Sequence, residues 1–151
     1  MSQMNSYCVF NIGDQRVGIN MTCVREIIDP GVIEAVPVPL APGFMRGLFN
    51  LRGQILPLLD LAPFVGTKAA AARTSDRALV VERGDFRFAT TGQRIDTVQA
   101  HDKTFQPVAD AALHPSLDAL ATSERGKFQV IHLDRLEACL SQAMKFSELT
   151  A

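Results

Sequence analysis

Gly47-Leu-Phe-Asn50-Leu-Arg52-Gly53-Gln-Ile-Leu-Pro57-Leu-Leu-Asp60-Leu61 is an apolar stretch broken in its middle by one arginine and one glycine. Two short runs rich in Leu, Ile and Phe on either side of such a break read as a β-hairpin. The spacing sets the one charge of the ribbon, Arg52, at its tip, where rigid scaffolds often mount a functional side chain. Pro57 has no backbone N–H, so the second strand, Gln54 to Leu59, must run at an edge or carry a bulge. Asp60 is placed to cap a helical turn over Leu61 to Val65, closed by Gly66.

Upstream, Val36-Pro-Val-Pro-Leu-Ala-Pro42 carries three prolines that hold the chain extended and remove donors, which predicts a surface crossing that delivers the chain to the hairpin. Tyr7 to Ile12 reads as a strand, Gly13-Asp14-Gln15 as a turn and Arg16 to Ile19 as the returning strand. Asn20 can cap a helix in which Val24, Ile27 and Ile28 form one apolar stripe, leaving Thr22, Arg25 and Glu26 facing outward, before Asp29-Pro30-Gly31 stops it.

Downstream, Thr67 to Asp76 is a small-residue stretch without hydrophobic periodicity, and beyond it the pattern begins again. Ala78 to Glu82, Arg83-Gly84-Asp85 and Phe86 to Ala89 repeat the strand, turn and strand of residues 7–19. Gly126-Lys-Phe-Gln-Val-Ile-His-Leu-Asp134 echoes Gly53 to Asp60, and Asp134 with Glu137 makes a capping-box-like start for a last helix whose apolar face is Leu136, Leu140 and Met144. The echo predicts a diverged internal duplication. The fold expected from it is mainly β, with two SH3-like five-stranded barrels, short helices and a C-terminal helix. Sequence order places lobe one at about 13–66, a linker at about 67–76, and lobe two at about 77–140 joined by the N-terminal strand 7–12, all within a single domain of residues 1–151. The stretch from Ala109 to Glu124 is compatible with a helix or a loop.

A chain of 151 residues with 47% hydrophobic and 21% charged residues can bury a core without disulfides or metal. Lys and Arg number 15 against 16 Asp and Glu, which lacks the basic excess that a nucleic-acid partner requires. The N-terminus has no basic and apolar leader pattern, and no run reaches the roughly 18 apolar residues of a membrane span, so a cytoplasmic protein without membrane insertion is expected. Cys8, Cys23 and Cys139 are far apart in apolar segments and read as small core residues. His101, His114 and His132 lack metal-ligand spacing, and no phosphate loop, nucleophile elbow or Cys-x-x-Cys is present. No catalytic residue, cofactor or metal is therefore expected.

Arg52, Glu26, Val24, Arg46 and Gly47 are the residues left to carry function. Arg52 alone is compatible with solvation, with an ion pair to a nearby carboxylate, or with a directional contact to a partner. Glu26 carries the same alternatives, Val24 reads as core or interface, and Arg46 and Gly47 read as a turn.

Phe10-Asn-Ile-Gly13-Asp14-Gln-Arg-Val-Gly18-Ile19, Val24-Arg-Glu26-Ile27-Ile28, Val38-Pro39 through Gly47, and Asn50-Leu51-Arg52-Gly53 through Leu56-Pro57-Leu58-Leu59-Asp60-Leu61 follow one another in an order that resembles the CheW-like domains. These are the adaptors that couple chemoreceptors to histidine kinases in bacterial chemotaxis. The resemblance implies a two-lobed SH3-like fold, no catalytic activity, and two partners. One is the regulatory domain of a CheA-type histidine kinase, docking barrel against barrel. The other is the cytoplasmic tip of a methyl-accepting chemoreceptor, contacting a groove between the lobes around Val24, Glu26, Arg46, Gly47, Asn50 and Arg52. The protein would be recruited from the cytoplasm to receptor arrays.

The second half departs from that family pattern at Thr90-Thr91-Gly92-Gln93, where polar residues should weaken a strand or shift its register. That departure leaves open an adaptor of a chemosensory system controlling pili, gene expression or second messengers. A small-molecule binding module is the other reading, and it would need an aromatic and polar cluster around the cleft.

Overall fold

The computed structural model describes residues 4–29, 34–67, 76–101, 106–107 and 116–150. Ten strands and one long helix follow in the order β1 (Met4–Ile12), β2 (Gln15–Asn20), β3 (Val24–Ile28), β4 (Met45–Leu51), β5 (Gln54–Leu59), β6 (Arg77–Arg83), β7 (Phe86–His101), β8 (Gln106–Pro107), β9 (Leu117–Ser123), β10 (Gly126–Ile131) and α1 (Leu133–Thr150). Every hairpin read from its turn residues is present: β1–β2 about Gly13-Asp14, β4–β5 about Arg52-Gly53 and β6–β7 about Gly84-Asp85. The strands form two SH3-like lobes. The expected linker falls mostly on residues 68–75, outside the described residues.

Sequence halves and lobes do not coincide. One lobe is built from β3, β4, β5, β6 and the first part of β7, the other from β1, β2, the rest of β7, β8, β9 and β10. Each lobe pairs a hairpin with a Gly-Asp turn to a hairpin whose last strand runs on to an Asp. Leu58 and Leu59 of β5 lie parallel to Ala89 and Thr90 of β7, just as Gln129 and Val130 of β10 lie parallel to Val17 and Gly18 of β2. Parallel neighbours cannot be joined by a tight turn, so the partner of each hairpin comes from the other half of the chain. The expected boundaries at 13–66 and 77–140 cut across this exchange.

Strands buried on both faces hold the lobes together. Tyr7 and Val9 point into the interior of one barrel with Val98, Ala121, Phe128 and Val130, and Ala78 and Val80 into the other with Ile28, Phe49, Leu56 and Leu58. The alternate residues Cys8, Phe10 and Ile12 of β1 and Leu79 and Val81 of β6 turn to a third core between the lobes. Strand alternation makes this possible, since successive side chains face opposite sides. Phe44, Leu61, Phe64, Phe88 and, from α1, Leu133, Leu136 and Leu140 complete that shared core. Burial of each large apolar side chain there stabilises by about 1.5–3 kcal/mol.

Two local expectations are corrected. Asn20 does cap a turn, its Oδ1 accepting from the Thr22 N–H at 3.0 Å, but the turn is a single 3-10 turn of Met21–Cys23. Val24–Ile28 then runs as strand β3 against β6, with a bulge between Val24 and Glu26. A five-residue run is too short to sustain a helix by itself, and its β-branched side chains fit a pleated surface where a partner strand is available. At α1, His132 takes the capping role expected of Asp134: its Nδ1 accepts from the Arg135 N–H at 3.3 Å, while the Asp134 carboxylate pairs with Arg83 Nε at 3.0 Å.

Pro57 pairs with Leu48 across a hairpin that carries a bulge between Met45 and Gly47, and the parallel contact with β7 starts only after it, at Leu58. The turn after β5 is a 3-10 turn of Ala62–Phe64, with Asp60 Oδ1 accepting from the Ala62 N–H at 3.0 Å. The polar Thr90-Thr91-Gly92-Gln93 segment does not end β7. It is where this 16-residue strand passes from one lobe to the other, with a register shift opposite Val9 and Asn11. Gly92 lies under the Phe10 ring, where a Cβ would sit 2.5 Å from Cδ2, and Arg94 adopts φ 50°. Residues 117–123 of the undecided segment form β9, and residues 109–115 lie outside the described residues.

Candidate docking groove

The β4–β5 turn consists of Arg52 and Gly53, with φ of 50° and 88°. Both values are left-handed, the geometry that a two-residue hairpin turn needs to match strand twist. Arginine is uncommon there, whereas glycine adopts it freely. Asn50 holds the turn, its Oδ1 accepting from the Gly53 N–H at 2.8 Å. Asn50 is thus a turn-forming residue, and its effect on the site is to aim Arg52.

Arg52 reaches across to β3 and makes two hydrogen bonds to Glu26: Nη1 donates to Oε2 at 2.9 Å, and Nη2 donates to Oε1. The Arg52 side chain stays 72% exposed and Glu26 28%. The hydrogen bond from Arg52, strengthened by its charge, holds the Glu26 carboxyl below its ordinary value of 4.5, and the same contact raises the pKa of the guanidinium. A bidentate arginine–carboxylate pair is directional as well as charged.

This pair stands at the lip of an open groove of about 560 Å³, lined by Thr22, Val24, Arg25, Leu51, Gln54, Val80, Glu82 and Arg87 together with Glu26 and Arg52. Val24, Leu51 and Val80 supply apolar surface. On the far side Glu82 receives Arg25 Nε at 3.2 Å and Arg87 Nη2 at 3.3 Å. All these strands belong to the lobe of β3–β7, so the groove lies within one barrel, while the space between lobes is filled by the shared core.

Of the residues singled out from sequence, the structure therefore brings Val24, Glu26 and Arg52 together. Arg46 and Gly47 sit at the other end of β4. Arg46 Nη2 pairs with Asp60 Oδ2 at 3.3 Å. Gly47 has φ 155°, and a Cβ there would meet the Val36 carbonyl oxygen at 2.7 Å. It is needed because the proline-rich strap pairs closely here, Val36 N–H to Leu48 O at 2.7 Å and Leu48 N–H to Val36 O at 2.9 Å. Arg25, Glu82 and Arg87 were not singled out. Glu82 and Arg87 face each other directly across the β6–β7 hairpin, a register that its Gly84-Asp85 turn would have fixed.

Beside the groove, the outer face of the hairpin is apolar. Ile55 is 61% exposed, Leu48 36%, and Val36, bridged to Leu48, 68%, while Leu40 of the strap is 89% exposed. The inward residues Phe49, Leu56 and Leu58 are buried. Among the described residues, no group of three His, Cys, Asp or Glu side chains is placed to hold a metal ion, and no helix is long and apolar enough to cross a membrane.

Comparison with known proteins bears on the family and the fold. The chain is 36% identical over 107 residues to a chemotaxis protein CheW of Rhizobium meliloti, a match covering 68% of this chain and 66% of that protein, just under two thirds of its length. It is 32% identical over 132 residues to a probable chemotaxis protein CheW of Rhizobium etli, covering 87% of this chain and 79% of the other. The fold matches the scaffolding protein TtCheW of Thermoanaerobacter tengcongensis with a TM-score of 0.75 at 18% identity, over 85% of this chain and 89% of that one. The model of the CheW-like domain matches residues 6–142, and the chain belongs to the CheW-like domain family.

Proposed function

We propose that this chain is a chemotaxis signal-transduction adaptor that couples a chemoreceptor to a CheA-type histidine kinase through two protein surfaces, with no reaction of its own. The observation that carries this reading is the Glu26–Arg52 pair, a preformed charged clamp at the edge of a groove with apolar residues Val24, Leu51 and Val80 in its walls. The cytoplasmic tip of a methyl-accepting chemoreceptor docks there. Fixed side chains lose little freedom on binding, which favours a specific contact.

The kinase regulatory domain takes the neighbouring face, where Val36, Leu48 and Ile55 expose aliphatic surface side by side. The two surfaces share the β4–β5 hairpin, so a change at one is felt at the other through a stiff ribbon. The protein acts in the cytoplasm, recruited to receptor arrays. None of the described residues lining the groove is aromatic, which disfavours a small-molecule module.

The test is a pull-down in which the purified chain is mixed with a CheA-type regulatory domain and a receptor cytoplasmic fragment. Arg52→Ala and Glu26→Ala are each expected to weaken assembly with the receptor fragment while the fold is kept. Normal ternary assembly by both variants would remove the groove from the contact, and turnover of a metabolite by the chain alone would overturn the scaffold reading.

A further inference from the structure

Glu82 holds two guanidinium groups at once. Arg87, its partner across β6 and β7, lies 3.3 Å from Oε1, and Arg25 of β3 lies 3.2 Å from Oε2. One carboxylate balances only one of them. Glu26 and Arg52 are matched one to one, so the three arginines and two glutamates of the groove leave one positive charge uncompensated within it. Arg25 and Arg87 are 65% and 42% exposed, against 23% for Glu82, so both cations face the opening over a carboxylate set deeper. Two cations sharing one anion repel each other, and a second carboxylate arriving from outside would relieve that repulsion.

We infer that Arg25, Glu82 and Arg87 form an acid-reading element of the groove, which takes a carboxylate from an acidic segment of the protein partner docked there. The inference rests on the docking role proposed above and adds what the partner must carry. Glu82 orients the two arginines and competes with the incoming acid. A basic segment would meet a like charge and be turned away.

The sign of one variant separates this role from a merely structural one. The full chain is titrated with a chemoreceptor cytoplasmic-tip fragment at low and high salt, with circular dichroism confirming the fold of each variant. Arg25→Ala and Arg87→Ala should each weaken binding by about threefold to tenfold, with a shallower salt dependence. Arg87→Glu should weaken it further. Glu82→Gln keeps the shape and frees both guanidiniums, so it should tighten binding and steepen the salt dependence. Weaker or unchanged binding by Glu82→Gln, or unchanged affinity and salt dependence in both alanine variants, would overturn the inference. Arg52→Ala in the same titration tells the two levels apart. If it weakens binding while the triad variants do not, only the acid-reading element falls, and if it leaves binding intact, the docking groove falls with it.

Discussion

Arg52 and Glu26 stand 26 positions apart in the chain and are joined by two parallel hydrogen bonds between a hairpin tip and a bulged strand. The arginine backbone is left-handed, so the turn that aims it is one that arginine seldom adopts. Such a position persists only where its surroundings over-determine it, and here Asn50 and Gly53 do so. Reversing the pair, Glu26→Arg with Arg52→Glu, should restore much of the receptor-fragment binding lost in either single reversal if the internal clamp itself is what docks. Binding measured through this double-mutant cycle checks it. Loss in the double variant equal to the sum of the singles would mean that each charge contacts the partner separately.

The clamp should be insensitive to pH across the neutral range. Glu26 titrates below its ordinary 4.5 in the folded chain because Arg52 hydrogen-bonds its charged form. A lowered folded value means that the stabilisation is present above the unfolded value and is lost as pH falls through the folded one. Carboxyl-carbon NMR should place the Glu26 midpoint below that of the unfolded chain, and Arg52→Ala should move it back up.

Cys8 gives the opposite sign at alkaline pH. Burial pushes its thiol from 9.0 up to about 11. The folded state therefore keeps the proton while the unfolded thiol ionises, and this contribution to stability declines as pH rises above 9.0. In thiol labelling of the native protein near pH 8, the half-buried Cys23 and Cys139 should react first and Cys8 only on unfolding.

Gly92→Ala tests the crossover of β7 between the lobes. Its Cβ would fall 2.5 Å from Phe10 Cδ2 and 3.1 Å from Phe10 Cβ, the second of which no ring rotation removes. Overpacking of this kind destabilises by about 1–3 kcal/mol, to be read as a lower denaturant midpoint. A midpoint equal to that of the native chain would show that Phe10 has room to move.

Phe88→Ala should destabilise both lobes together. Phe88 is fully buried in the core that the lobes share, and truncation of a core Phe removes about 3–5 kcal/mol. Hydrogen exchange should show amides of β2 and of β4 losing protection in step. Loss confined to one lobe would mean that the barrels unfold independently.

The hairpins were legible because Gly-Asp and Arg-Gly turns constrain the backbone locally. The helix expected over Val24–Ile28 was not a strand in sequence terms, since five residues of apolar and polar character fit either period, and only pairing with β6 decides between them. The exchange of hairpins between lobes was hidden for a related reason: the parallel contacts of β5 with β7 and β10 with β2 join residues far apart in the chain. Gly92 illustrates a signal read only in part. The polar segment around it was expected to weaken the strand or shift its register; the register does shift, the strand continues, and Gly92 admits the Phe10 ring. At the site, Arg52 was legible from its place at the hairpin tip, and the family resemblance added Glu26. The Glu82–Arg87 pair follows from hairpin register, but an exposed cross-strand ion pair carries no signature of function by itself.

The most direct measurement is a titration of isotope-labelled chain with a chemoreceptor cytoplasmic-tip fragment, followed by backbone and arginine side-chain NMR. Docking at the groove predicts that the largest shifts fall on Arg52, Gly53, Glu26, Val24 and Leu51, with those of the β9–β10 hairpin nearly unmoved. Shifts concentrated on β9 and β10, with the Arg52 side-chain signal unchanged at saturation, would contradict it.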